Sequence, residues 1–397
     1  MELLYKYHQQ YLHNNQGWYR RAEMDAIPWE EQLVGIKGAK GIGKTTLMLQ
    51  KIEEDFGKST KALYISMDNM AVQGYTITQI AEYHRNIGGT HLFIDEIHKH
   101  QEWSRDLKSV YDLYRDLHLV FSGSSMLQIY KGQADLSRRA VMHTMQGLSL
   151  REYIYWETDE NFSKYSLPDI LKNHIDIAVE ISNKVKILPL FNEYLKAGYY
   201  PFYRKNKKTF NLKVQNVINN TLEVDMPFVL GTNVQNISKI KRLLHMLATE
   251  VPYQPNIAKL SQNLDLNKAT LNGYIHYLEE AGLVNLLNPA GRGYSILTKP
   301  EKIYLNNSNL AYSIDEMGIN KGSLRELFFF NQLYHKHAVN SSPFGDFLVD
   351  EKYVFEIGGS NKSYNQIANM DNSYVVIDDV ISGVKNKIPL WLFGFLY

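Results

Sequence analysis

An α/β protein of several domains is what this 397-residue sequence predicts, and three observations carry that prediction. A glycine loop, Gly38-Ala39-Lys40-Gly41-Ile42-Gly43-Lys44-Thr45, sits between an apolar strand and a helical run. Further apolar runs end in carboxylates or small polar residues, where parallel sheets gather ligands. Beyond residue 236 the order becomes helix, helix, turn, helix, strand, and beyond residue 300 strands alternate around one clear helix.

The glycine loop fits G-x-x-x-x-G-K-[ST] without a mismatch. Leu33-Val34-Gly35-Ile36 reads as the buried strand before it and Thr46–Ile52 as the helix after it. Glycines let backbone N–H groups turn inward around phosphates, and a helix N-terminus favours the anion. Gly38 through Thr45, with Thr46 opening the helix, are therefore the expected nucleotide-binding residues. Lys44 would reach the β- and γ-phosphates, and Thr45 would place its hydroxyl on Mg²⁺.

Ala62–Met67 reads as a second strand, ending at Asp68, a candidate for ordering water at the metal or for capping the next segment. His91-Leu92-Phe93-Ile94-Asp95-Glu96 delivers two adjacent carboxylates from an apolar strand. Asp95 is expected in the Mg²⁺ shell and Glu96 as the group that orients or deprotonates the attacking water. His98 and His100 read as incidental histidines of a surface loop. Trp103, Leu107, Val110, Leu113 and Leu117 form the stripe of a core-facing helix. Leu119–Ser125 is a further buried strand, with Ser122 and Ser124 placed to sense γ-phosphate or to cap a helix. Arg138 and Arg139 are candidates to offset transition-state charge, in cis or in trans, or else form a solvated patch.

These shifts divide the chain into four segments: 1–160 for the nucleotide domain, 161–235 for a helical linker or lid, 236–300 for a winged-helix-like domain and 301–397 for a final α/β domain. Residues 1–27 read as an amphipathic helix covering an edge of the first domain. Arg204-Lys205-Asn206-Lys207-Lys208 is the strongest basic run. The third helix of the 236–288 segment offers Lys268, Asn272 and His276 outward but also Glu279 and Glu280, fewer positive charges than a groove-reading helix carries. Asp346–Val349 and Tyr353–Gly358 read as a hairpin bearing Asp346 and Glu356, a pair that would share a divalent metal. The lysine such a site needs two residues after Glu356 is absent: Gly358 stands there, and Lys362 would substitute only if the loop folds back. A catalytically inactive domain that does not cut DNA is the expectation.

Composition narrows the classes. Formal net charge is +1, so no global field demands nucleic acid or an anionic membrane. The absence of cysteine excludes disulfides and thiolate zinc sites. No signal-peptide pattern and no apolar run of membrane-spanning length is present, and a soluble, cytoplasmic protein with no membrane partner is expected.

The motifs together resemble a known family, the prokaryotic AAA-type ATPases with a C-terminal restriction-endonuclease-like domain, near the archaeal ATPase and origin-recognition (Orc-type) branch. The marks are Gly38 to Thr45, Phe93 to Glu96, Phe121-Ser122-Gly123-Ser124-Ser125, Leu148-Ser149-Leu150-Arg151-Glu152-Tyr153, Gly198 with Pro201, and Asp346-Phe347-Leu348-Val349. The resemblance implies ATP with Mg²⁺, the acidic pair at Asp95 and Glu96, the polar sensor at Ser122 or Ser124, and the arginine at Arg138 or Arg139. It implies adenine over guanine, and no guanine-reading Asn-Lys-x-Asp stretch is visible. Gly345 and Gly358 depart from the family's acid-x-Asp-Phe and Glu-x-Lys patterns. Two functional readings stay open: Mg²⁺-dependent ATP hydrolysis driving a conformational switch on double-stranded DNA, or a regulatory ATPase that acts on a protein partner.

Overall fold

The computed structural model describes residues 1–123, 136–227, 234–249, 252–291, 300–315, 318, 320–367 and 370–397. The chain forms two compact units, Met1–Gly147 and Leu148–Tyr397.

The first unit is built on five parallel strands: β1 (Leu33–Lys37), β2 (Ala62–Ser66), β3 (His91–Asp95), β4 (His118–Gly123) and β5 (Val141–Thr144), in the order β2-β3-β4-β1-β5. β1 to β4 are short apolar runs buried almost throughout, as strands covered on both faces must be. Gly35 in β1 is required by close approach, since a Cβ there would lie 2.3 Å from the Met142 sulfur and 2.6 Å from the Phe121 ring. Helix α1 (Glu2–Asn14) buries Leu4, His8 and Leu12, one face at a spacing of four. It lies along edge strand β2, where the backbone N–H of Tyr64 donates to His8 Nδ1 at 3.1 Å. The expected edge-covering helix is therefore present, although Leu3, counted in its apolar face, is exposed. Helix α2 (Lys44–Asp55) follows the glycine loop. Helix α3 (Ile77–Asn86) opens on a capping box of Thr76 and Gln79. Helix α4 (Trp103–Leu113) buries Trp103, Leu107 and Val110, but Leu113 ends the helix pointing to water.

The second unit begins with helices α5 (Leu150–Thr158), α6 (Leu167–Lys184), α7 (Ile187–Ala197) and α8 (Phe210–Asn220). Ser149 with Glu152 and Ser166 with Asp169 form capping boxes that start α5 and α6. Helices α9 (Val234–Thr249), α10 (Ile257–Leu264) and α11 (Lys268–Glu280) then lead into β6 (Val284–Pro289), which pairs antiparallel with β7 (Lys302–Leu305). These are the elements anticipated for 236–300, in the anticipated order. They do not stand apart from the C-terminal strands. β6 also pairs in parallel with β8 (Val339–Ser341), through Asn288 with Asn340 and Pro289 with Ser341. With β9 (Phe347–Val349), β10 (Tyr353–Gly358), β11 (Ser373–Ile377) and β12 (Lys387–Pro389) they make one mixed seven-stranded sheet, ordered β12-β11-β10-β9-β8-β6-β7. Helices α12 (Ser308–Ile314) and α13 (Lys321–Tyr334) intervene between β7 and β8. Phe329 of α13 packs on Phe347, Phe355 and Phe393, with ring centroids 4.8–5.2 Å apart, and anchors the helix on the sheet. The β9–β10 hairpin is formed as anticipated, with Phe347 opposite Phe355.

Candidate nucleotide site

The glycine loop is held in a geometry only glycine adopts cheaply: Gly41 and Gly43 have φ of 85° and 100°. Gly43 is the residue before α2, and no side chain caps that helix, unlike α3, α5 and α6. Its first N–H groups are left facing the loop, the arrangement that binds phosphate at helix N-termini. Lys44 lies almost wholly inside, its ammonium donating to Gly38 O and Ala39 O at 2.8 Å each. Arg21 braces the loop from outside: its guanidinium donates to Ile42 O at 3.0 Å and to Gln146 O and Gly147 O at 3.1 Å. Sequence reading passed over Arg21 because nothing in its neighbourhood marks a buried cation.

Asp95 is the centre of the site. Thr45 Oγ1 donates to its Oδ2 at 2.5 Å, and Tyr64 OH to the same oxygen at 2.8 Å. Ser122 Oγ donates to Oδ1, which also accepts the Glu96 N–H at 3.1 Å. Parallel pairing makes this convergence possible: β2 and β4 flank β3 in register, placing Tyr64 opposite Phe93 and Phe121 opposite Ile94. Tyr64 was not anticipated as a site residue. Burial and then the Asp95 charge push its phenol far above the usual range, which keeps the hydroxyl a donor.

The anticipated residues divide clearly. Thr45, Asp95, Glu96 and Ser122 meet at the ends of α2, β3 and β4. Ser122 is fully buried and its hydroxyl is directed at Asp95, not outward as a phosphate sensor would be. Ser124 lies outside the described residues. Arg139 turns away: its guanidinium forks onto Asp112 at 3.0 Å and lies over the Tyr111 ring. Arg138 is solvent-exposed. Asp68 is exposed too, and Asn69 supplies the cap that Asp68 was expected to give.

His98 corrects the reading of a surface loop. It is fully buried, and its Nε2 lies 3.4 Å from Glu96 Oε2. Glu96 itself has φ of 52°, a left-handed conformation for a residue with a Cβ. Such strain is kept where surrounding contacts over-determine it, as at reactive sites. His100 bonds Asp106 at 2.9 Å, an acid that also accepts the Ile77 N–H.

In the second unit the expected gap at Gly358 is closed. The Lys362 ammonium pairs with Glu356 Oε1. A side chain at 358 would meet the Cβ, Cγ and Cδ of Lys362 at 2.7 Å, so this lysine occupies the space that glycine leaves. The loop does fold back, and the missing-cation premise for an inactive domain does not hold. Gly345 is likewise explained by packing, since a Cβ there would lie 2.8 Å from Phe355 O.

Residues 30–154 match the family model of the AAA domain. Residues 188–321 match that of a domain of unknown function, DUF8612. The first match, with its complete phosphate loop and acid pair, places the chain among the P-loop NTPases of the AAA superfamily; it is an ATP-binding enzyme, a nucleoside-triphosphate hydrolase. An uncharacterized protein of Methanocaldococcus jannaschii is 26% identical over 90% of this chain and 82% of its own length. A Walker-type ATPase of Pyrococcus abyssi superposes over 75% of this chain and 96% of its own, at 9% identity and a TM-score of 0.42. AMPPCP-bound DnaA from Aquifex aeolicus does so over 65% and 84%, at 16% identity and a TM-score of 0.25. No helix among the described residues is long and apolar enough to cross a membrane.

Proposed function

We propose that this AAA unit hydrolyses ATP with Mg²⁺ and uses the cycle to switch the second unit between states on double-stranded DNA. The observation that supports the hydrolytic half is the convergence of Thr45, Tyr64, Ser122 and the Glu96 N–H on one carboxylate, Asp95. Hard oxygen donors of this kind, few in number, suit Mg²⁺, which takes its remaining ligands from water and phosphate. When bound, the ion would supply charge to offset that developing on the transferred phosphoryl group.

The chain's own residues divide the remaining work. Lys44 leaves its loop carbonyls for the β- and γ-phosphates. Thr45 and Asp95 hold the ion's shell, with Tyr64 and Ser122 fixing the Asp95 carboxylate. Glu96 orients the attacking water and takes its proton, and His98 fixes Glu96. Arg139, committed to Asp112, is poorly placed to act within its own site, whereas exposed Arg138 is free of that pair and suits action in trans.

Phosphate release separates these roles. Lys44→Ala is expected to lose nucleotide affinity. Glu96→Gln is expected to bind ATP normally and turn over at least a hundredfold more slowly, within the range that general-base loss produces, about 10²–10⁴. Wild-type turnover by Glu96→Gln would remove Glu96 from the mechanism.

The switch reading rests on the helix order of 234–289 and on the basic run at 204–208. A protein partner is the second reading, and α11 favours it: His276 lies 3.2 Å from Glu280 and 3.7 Å from Glu279, so the outward face is charge-balanced and not basic. Lys207 is likewise paired, with Glu157 at 2.9 Å. Titration of labelled duplex DNA at low salt, with and without a non-hydrolysable ATP analogue, decides. Affinity that changes with the analogue supports the switch. No binding at low salt, where phosphate contacts are strongest, leaves the protein partner.

A further inference from the structure

A second charged centre lies in the Leu148–Tyr397 unit, between β7, α13 and the β9–β10 hairpin. Glu356 projects from β10 and is 3% exposed, yet its Oε2 has no hydrogen-bond partner. Its other oxygen is held by Lys362. Asp346, at the start of the hairpin, accepts the Ile357 N–H at 2.8 Å and lies 3.9 Å from the Lys302 ammonium. Glu326 of α13 takes Lys302 at 2.9 Å and Tyr304 OH at 2.8 Å. The acids crowd one another: burial, then Glu326, raise Asp346 to about 6, and Glu356 adds to the rise.

Three carboxylates therefore share two ammonium groups, Lys302 and Lys362. A buried charge without a partner is costly, and an orphaned carboxylate oxygen more so than a neutral acceptor. The local structure is short by one positive charge, and the shortfall falls on Glu356 Oε2. A third lysine cannot reach it through position 358, because Lys362 already fills that space. The centre is also open to solvent, since Lys362 is 34% and Asp346 21% exposed at the side chain.

We propose that Asp346 and Glu356 hold a divalent cation that displaces the Lys362 ammonium from Glu356, and that this centre takes a phosphodiester group of nucleic acid. No group of three or more His, Cys, Asp or Glu among the described residues is spaced to cage a metal. A Mg²⁺-type ion needs no such cage: it is commonly held by one or two carboxylates, with waters and substrate phosphate completing an octahedron. Those phosphate oxygens are what the displaced Lys362 would then meet, with Lys302 on the other side. An anion bridging a cation and two ammonium groups is the charge complement of the centre. A diester fits better than a terminal phosphate because it brings one negative charge to a centre that lacks only one positive charge before the metal arrives.

Titration calorimetry of Mn²⁺ into the full chain without nucleotide is the first test. Binding should persist in Asp95→Asn, which disables the nucleotide-site metal, and disappear in Glu356→Gln. Lys362→Met removes the competitor for Glu356 and should tighten Mn²⁺ about tenfold. Anisotropy of a labelled duplex oligonucleotide, with Ca²⁺ as a non-cleaving ion, is the second. Ca²⁺ should tighten binding at least fivefold in the wild type and leave Glu356→Gln unchanged. Failure of Mn²⁺ to bind either the wild type or Lys362→Met overturns the cation site. Binding that survives Glu356→Gln does the same. Duplex affinity indifferent to Ca²⁺ overturns the phosphodiester assignment. None of these readouts depends on ATP, so the proposed switch and this centre fail separately.

Discussion

At the scale of single residues, the nucleotide site shows which contacts a sequence announces. Lys44, Thr45, Asp95 and Glu96 lie in or beside short local patterns, and the structure brings them together. Tyr64 and Arg21 do not. Tyr64 sits inside an apolar strand, and only the register of β2 on β3 turns its hydroxyl onto an acid 31 residues later. Arg21 reaches carbonyls 125 and 126 residues away. His98 looked like loop polarity because burial is a property of the fold. Tyr64 supplies a direct prediction. Tyr64→Phe keeps the ring and its edge contact with Tyr11 but removes one of four donors to Asp95. A hydrogen bond to a charged group contributes about 1.5–3 kcal/mol, so Asp95 would be held more loosely by roughly that amount. The expected result is a tenfold or larger rise in the Mg²⁺ concentration needed for half-maximal ATPase activity, with little loss of thermal stability. An unchanged Mg²⁺ requirement would show that Tyr64 only fills space.

At the scale of elements, α1 illustrates how a helix can be legible while its chemistry is not. Apolar spacing announced the helix, but its innermost residue is His8, a polar side chain at 1% exposure. The ring accepts from the edge-strand backbone at Tyr64, which fixes Nδ1 as unprotonated. Burial, and secondarily His84, lower His8 to about 4. His84 and His91 are also lowered, mainly by burial. The unfolded chain binds protons at these rings below about 6.5, whereas the folded chain resists until near 4. Between those values the unfolded state holds more protons, so stability falls as pH falls. For His8 alone the full effect is about 3 kcal/mol as an upper bound, at 1.36 kcal/mol per unit. The first unit is therefore expected to lose melting temperature from pH 6.5 to pH 4, most steeply below pH 5.5. His8→Asn places an amide oxygen near the former Nδ1 and cannot charge. It should melt lower at pH 7 and lose less on acidification. An equal acid slope in both proteins would show that His8 does not carry the effect. The second unit differs. Its helices and hairpins could be read from periodicity, but the joining of β6 to β8 rests on two residue pairs with no alternating pattern to advertise it.

At the scale of the whole molecule, the division at Gly147 and Leu148 sets how the chain should unfold. Each unit has its own sheet and its own buried core, and units of that kind commonly melt as separate cooperative steps. Sequence reading placed a boundary near 160 and two more beyond it. The sheet that runs from β7 to β12 joins the last two segments, so they are expected to melt together. The nucleotide loop lies wholly in the first unit, and a ligand that binds only the folded form stabilises by RT ln(1 + [L]/Kd), about 2.7 kcal/mol at a hundredfold excess over Kd. Calorimetry should thus show two transitions, of which a non-hydrolysable ATP analogue with Mg²⁺ raises one. Lys44→Ala should abolish that rise without moving the other. Phe329→Ala, which opens a cavity among Phe347, Phe355 and Phe393, should lower only the second transition. The cost expected for removing a buried phenyl ring is about 3–5 kcal/mol. If Phe329→Ala and the nucleotide analogue move one shared transition, the two units unfold as a single cooperative body. Nucleotide would then be linked to the second unit through stability alone, which is the coupling that a switch driven by ATP requires.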